Sequence, residues 1–262
     1  MFMVLSVIGP NLARATPNIS TEKGHSLGPF EVVAQTGENP KIILIGNTHD
    51  SLGKETPASK QAKIENGMLM ELLAASGDIL LLEGQEHGKP GVLGDGYVNK
   101  EFNVFGWDSW IAYKWMDKFR NDAEQLQREG NPYYMVKVLQ FENINLVQRN
   151  RVLSESATTQ ATRNPEKRVF VFAGTFHVYH PELIKDLTNS NIPFTIYAPK
   201  GSKVQYEKDQ ERIAFFRREI QRANPGYDID NGIKLAAEAF LEEFKSPSKC
   251  AETLMREILN RK

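Results

Sequence analysis

Lys41-Ile-Ile-Leu-Ile-Gly-Asn-Thr-His-Asp50 is a short apolar run that closes on glycine and then histidine. The same design returns as Arg168-Val-Phe-Val-Phe-Ala-Gly-Thr-Phe-His177. Each run is β-branched or aromatic and is long enough for one buried strand. Glycine lets the chain turn sharply without a Cβ in the way. His49 and His177 are therefore expected just past two strand ends. In an open α/β sheet, ligands bind in the crevice at the carboxyl ends of the strands. Two Gly-x-x-His copies on two buried strands predict one site built from both halves of the chain.

The surrounding pattern predicts a mostly parallel central sheet flanked by helices. Strand 41–46 is followed by a helical period over 59–75, with Ile64, Met68, Leu69, Leu72 and Leu73 on one side. Asp78-Ile-Leu-Leu-Leu-Glu83 is the next buried strand, and strand, helix, strand implies parallel strands. Residues 84–99 read as a glycine-rich loop, of the kind that often forms lids or binding loops. Further strands are expected at 102–108, 168–173 and 193–198, and a short one at 30–34. Helices are expected over 109–128, 133–159 and 181–189, and over 206–222, 232–244 and 248–260 in a helical C-terminal third. The apolar faces there, Ile233, Ala236, Ala237 and Phe240, are expected to cover the sheet, with docking of a partner as the alternative.

The chain has 262 residues, 40% hydrophobic and 25% charged, which is ordinary for a globular protein. Residues 41–262 read as one α/β domain preceded by a 1–40 tail. A formal charge of −1 gives no general attraction to nucleic acid or anionic membrane, so the expected partner is a small molecule or a peptide. The single cysteine, Cys250, excludes a disulfide framework and a cysteine-based zinc cluster. No apolar run approaches the roughly 20 residues that span a bilayer. Phe2-Met-Val-Leu-Ser-Val-Ile-Gly9 followed by Ala13-Arg-Ala15 reads either as an export signal or as an N-terminal strand or tail. Cytoplasmic and exported locations both stay open.

Four expected strand ends finish in a reactive group: His49, Glu83, Asp108 and His177. If the strands are parallel, all four share one rim. Two imidazoles with one or two carboxylates suit zinc, manganese or iron. The same set suits acid–base catalysis without a metal. Glu86, three residues after Glu83, is a further candidate acid. His87 and His180 read as peripheral, His180 at the entry of the following helix. Trp107 reads as core. On the 133–159 helix, Met135, Leu139, Leu146 and Leu153 form one stripe, flanked by Arg149 and Asn150, while Arg151 points away. A guanidinium beside a core-facing stripe needs an acceptor. A site carboxylate or a substrate oxyanion would serve, as would a structural pair with Glu142.

Taken together, Gly46-Asn-Thr-His49, Glu83 and Glu86 in Leu80-Leu-Leu-Glu-Gly-Gln-Glu86, Arg149-Asn150 and Gly174-Thr-Phe-His177 resemble a known superfamily. That superfamily unites Tiki-type metalloproteases, TraB proteins, ChaN-like haem-uptake proteins and erythromycin esterases. Gly106-Trp-Asp108 is similar to members nearer the ChaN and esterase branch. The likeness spans residues 41–198. It implies hydrolysis of an ester or peptide bond by His49, Glu83, Asp108, Arg149 and His177. In the Tiki branch it implies a divalent metal such as zinc, manganese or cobalt, on His49, Glu83, Glu86 and His177. In the ChaN branch it implies haem or ligand binding without turnover. The chain departs from the pattern around the second histidine, which reads Ala173-Gly-Thr-Phe-His-Val-Tyr-His180, and no cysteine lies near the N-terminus for a lipid anchor. The metallophosphoesterase class, whose Gly-Asn-His-Asp turn looks similar, requires an Asp-x-His strand end that nothing before Gly46 supplies.

Overall fold

A computed structural model describes residues 27–47, 57–91 and 101–245. Six strands form one sheet: β1 Phe30–Gln35, β2 Ile42–Asn47, β3 Ile79–Glu86, β4 Asn103–Asp108, β5 Val169–Gly174 and β6 Phe194–Pro199. Their order is β1-β6-β2-β5-β3-β4, and every pairing is parallel except that of β1 with β6. The fold is therefore the α/β class expected, with an antiparallel edge. The expected strand at 30–34 is that edge. The described helices are α1 Pro57–Leu73, α2 Trp110–Arg128, α3 Tyr134–Glu142, α4 Arg149–Arg163, α5 Thr175–Tyr179, α6 Pro181–Asn189, α7 Lys203–Ala223 and α8 Ile229–Lys245. A π-helical turn, Asn143–Gln148, joins α3 to α4. The helix expected over 248–260 lies outside the described residues.

The central strands are buried on both faces, as their uninterrupted apolar composition demands. Ile42, Leu44, Val169 and Val171 face one way, and Leu153 and Ala157 of α4, Val178 of α5 and Leu183 and Leu187 of α6 cover them. Ile43, Ile45, Phe170 and Phe172 face the other way, against Leu69, Met70 and Leu73 of α1. From β2 the chain crosses β5 by way of α1 to reach β3. From β5 it crosses β2 by way of α5 and α6, on the opposite face, to reach β6. Adjacent strands whose connections leave in opposite directions open a crevice at their carboxyl ends. That crevice lies between Asn47 and Gly174, which are register partners.

Four expectations need correction. The apolar residues of α1 split: Leu69 and Leu73 are buried, but Ile64, Met68 and Leu72 are 51%, 68% and 61% exposed. The inward stripe instead carries Ser59, Ala62 and Asn66, because α1 passes over the polar end of the sheet. Gly46 is still within β2, so it is not the turn residue. A Cβ there would stand 3.0 Å from Val178 Cγ2, so glycine is needed for the close approach of α5. The glycine-rich loop starts later than expected: Gly84 (φ +75°) opens a bulge, β3 continues to Glu86, and His87 bridges to Gly106. Finally, Ile233, Ala236 and Phe240 of α8 do not cover the sheet. They pack with α2, α3 and the π-turn, against Phe119, Met135 and Ile144.

The split of α1 predicts unequal mutational costs for neighbours. Leu69→Ala should cost about 2–5 kcal/mol and Met68→Lys less than about 0.5 kcal/mol, measured as shifts in the denaturant midpoint.

Candidate functional site

Arg149 is the first residue of α4 and is only 3% exposed. Its backbone N–H bonds to Ile144 O, the wider repeat of a π-turn, and such turns often occur at functional sites. The wider turn lets Leu146, Gln148, Arg149 and Asn150 all be buried. The side chain then meets acceptors on every donor. Nε and Nη2 form a fork on Asp108, at 2.9 Å to Oδ1 and 2.6 Å to Oδ2. Nη2 also reaches Glu83 Oε1 at 2.6 Å and Tyr113 Oη at 3.2 Å. Nη1 reaches Asn145 Oδ1 at 2.8 Å and His177 Nε2 at 3.1 Å. A guanidinium has five N–H donors, and all five are committed. Burial alone would favour its loss of charge, but Glu83 and Asp108 more than offset that and hold it firmly protonated. Of the partners the sequence allowed, the strand-end carboxylates hold Arg149; Glu142 pairs instead with Arg212 at 3.0 Å. Arg151 is exposed, as expected.

Asp108 stands at the carboxyl end of β4, but it does not face a cavity. Its oxygens accept from Gly84 N, Ser109 N and the Tyr113 hydroxyl as well as from Arg149. This carboxylate is an anchor that joins the β3 bulge, the start of α2 and the guanidinium. Glu83 differs. One oxygen accepts from Arg149 and the other from Gly174 N at 2.5 Å, yet the side chain still reaches the cavity.

His177 is buried in α5 directly after β5. Asn150 Oδ1 lies 2.7 Å from Nδ1. Because Arg149 can only donate to Nε2, that nitrogen carries a lone pair, and Nδ1–H donates to Asn150. The ring is thus a neutral imidazole in one tautomer. Burial lowers its pKa, the positive charge of Arg149 lowers it further, and Glu83, whose Oε1 lies 3.6 Å from Nε2, opposes both. Trp107 fixes the ring edge-on at 5.5 Å and donates its own N–H to Phe172 O. It is core, as expected.

Over this floor lies a cavity of about 350 Å3, lined in part by Glu83, Arg149, His177, Asn47 and Phe176. Asn66 of α1 donates to Asn47 Oδ1 at 2.9 Å, which explains the polar position on that helix. The structure therefore brings Glu83, Asp108, Arg149 and His177 into one contact set. His49 lies outside the described residues. Glu86 is set apart: its Oε2 accepts from Trp110 N at 3.2 Å, and burial raises its pKa. His87 bonds to Ser156 at 2.6 Å, and His180 caps α6, both away from the floor. Tyr113 and Asn145 escaped the sequence reading. The Asp-Ser-Trp start of α2, with Ser109 as its N-cap, was the available signal for Tyr113, one turn inside the helix.

The donor set can be tested against a divalent metal. Glu83 Oε1 and His177 Nε2 are close enough to share an ion, but both already face the guanidinium. An ion between them would displace two hydrogen bonds and stand against a permanent positive charge. Among the described residues, no three His, Cys, Asp or Glu side chains are arranged to hold a metal ion. With Arg149 in place, the described donors do not fit one. No family model, curated protein or solved structure matches the chain.

Two outcomes follow. Arg149→Met should destabilise the fold by about 3–5 kcal/mol, because it leaves two buried carboxylates unpaired, and Arg149→Lys should recover little because an ammonium cannot form the fork; chemical denaturation measures both. The second concerns Glu142, which hydrogen-bonds Asn145 behind Arg149. Burial, and then the charge of Asp209, push its pKa from 4.5 up to about 7, against the pull of Arg212. Its folded form binds more protons than its unfolded form between those values, so its contribution to stability is full below pH 4.5 and lost as pH rises through about 7. Glu142→Gln should therefore be more stable than the parent at pH 8, by up to about 3 kcal/mol, with the difference vanishing near pH 4.5 in parallel urea titrations.

Proposed function

We propose that the protein hydrolyses an ester or peptide bond, the reaction class implied by its resemblance to the Tiki, TraB and erythromycin-esterase superfamily. One observation supports this reading above the others. Glu83, Arg149 and His177 meet at the floor of a cavity at the strand ends, with the imidazole neutral and held by Asn150. A base, an orienting group for it and a fixed positive charge beside a cavity are the parts that water-mediated acyl transfer requires.

In this mechanism Glu83 holds the attacking water. A carboxylate can accept about four hydrogen bonds, so its bonds to Arg149 and Gly174 do not preclude this. As the new C–O bond forms, the water's proton passes to Glu83. His177 Nε2, 3.6 Å from Glu83 Oε1, can take that proton and return it to the leaving oxygen or nitrogen. Protonation of Nε2 removes the acceptor of one Arg149 N–H. The guanidinium, otherwise fully committed, then has one donor to turn toward developing negative charge. Arg149 therefore acts through its field at first and through a released N–H afterwards. Asp108, Tyr113 and Asn150 are positioning residues. No step requires a metal. The ChaN-like alternative, a haem or ligand carrier, is less well supported, because the cavity is at the small end for ligand pockets.

Purified protein, Glu83→Gln and His177→Gln should be assayed against a panel of esters, amides and peptides, with circular dichroism to verify folding. The parent should turn over at least one class, and each variant should lose about 100-fold or more in kcat. The acid limb of the parent's rate profile should fall below pH 6.5, since the folded environment lowers the His177 pKa. An inactive parent that instead gives a Soret shift with haem would replace this reading with the carrier.

A further inference from the structure

The cavity contains more information than the residues of its floor. Phe176 and Leu146 supply apolar wall. Phe176 is held in place by Tyr206, which meets it edge-on at 6.1 Å and itself stacks on Tyr179 at 5.8 Å. Two hydroxyls at the cavity point their hydrogens elsewhere. The Thr175 hydroxyl donates to Asn47 O, and the Ser202 hydroxyl donates to Pro199 O. Arg149 is the one cation among the described lining residues, and its five N–H groups are all engaged. Glu83 contributes a negative charge at the same floor, and Asp108 lies behind it.

Among the described residues, an anion entering this space would meet a carboxylate and no uncommitted side-chain cation. An apolar group would meet aromatic and aliphatic wall. A volume of about 350 Å3, at the small end for ligand pockets, suits a compact group. From this we infer that the cavity selects an uncharged substrate bearing a compact apolar acyl arm, seated against Phe176, and discriminates against phosphate-, sulfate- or carboxylate-bearing analogues. The inference rests on the hydrolase reading for the reaction, but not for the binding.

Two measurements on the full chain separate these claims. The first is turnover of neutral p-nitrophenyl esters with acyl chains of two, four, eight and twelve carbons, beside p-nitrophenyl phosphate, p-nitrophenyl sulfate and the monoester of succinate. The second is calorimetric binding of neutral, non-hydrolysable methyl ketones whose alkyl arm is graded in length. Short and medium neutral acyl chains should be preferred, and the anionic compounds should be at least tenfold poorer in kcat/KM. Phe176→Ala should move the preference toward longer chains and Phe176→Trp toward the acetate, each by about tenfold between the four- and eight-carbon esters. Phe176→Leu, closest to the parent in shape, covers the case in which either variant fails to fold, and should give a smaller shift toward longer chains.

Hydrolysis that ignores chain length and the residue at 176, or that treats the succinate monoester like the butyrate, overturns the inference and leaves the hydrolase standing. Graded ketone binding that follows the residue at 176, without turnover of any ester, supports the inference and overturns the hydrolase. Neither binding nor turnover overturns both.

Discussion

A guanidinium taken out of water has to find acceptors for five N–H groups in one plane. In this protein that requirement is met by Asp108 from β4, Glu83 from β3, Asn145 from the π-turn and His177 from the segment after β5. No two of these come from the same strand or helix. The pairing of β3 with β5, the bulge at Gly84 and the π-turn before α4 must all be in place for Arg149 to be satisfied. An unpaired buried charge costs several kcal/mol, so the arrangement is held tightly once formed.

The same bonds set the chemistry of the floor. Because Arg149 points an N–H at Nε2, His177 must present a lone pair there, and Asn150 can only receive Nδ1–H. One cation thereby selects the tautomer, lowers the imidazole pKa and orients Glu83. The network continues away from the cavity. Asn145 bonds both Arg149 and Glu142, and Glu142 meets Arg212 of α7. The C-terminal helices pack mainly on the α2–α3 layer, and α7 reaches the site by two routes, Arg212 through Glu142 and Asn145, and Tyr206 against Phe176 at the cavity.

Much of this architecture can be read from residue order. Uninterrupted apolar runs at 42–45, 79–82 and 169–173 are strands buried on both faces, and the strand–helix–strand alternation makes them parallel. That reading alone places Glu83, Asp108 and His177 at one rim, and the position of Arg149 beside a core stripe signals that it needs a partner. The edge strand and most helix limits also follow from local pattern.

Other features are non-local. Ile64, Met68 and Leu72 look like core, but only the passage of α1 over the crevice explains why Asn66 is turned inward and they are turned out. Asp108 and Glu83 look equivalent in sequence. The bulge at Gly84 and the cap at Ser109 make one a buried anchor and the other a cavity residue. The choice of Asp108 and Glu83 over Glu142 as partners of Arg149 is likewise invisible in the chain. The sequence determined the strands and their polar ends, because periodicity and burial are properties of neighbouring residues. Only the tertiary structure decided which of those polar groups meet, because hydrogen bonds between distant strands depend on register and strand order, which local pattern does not encode.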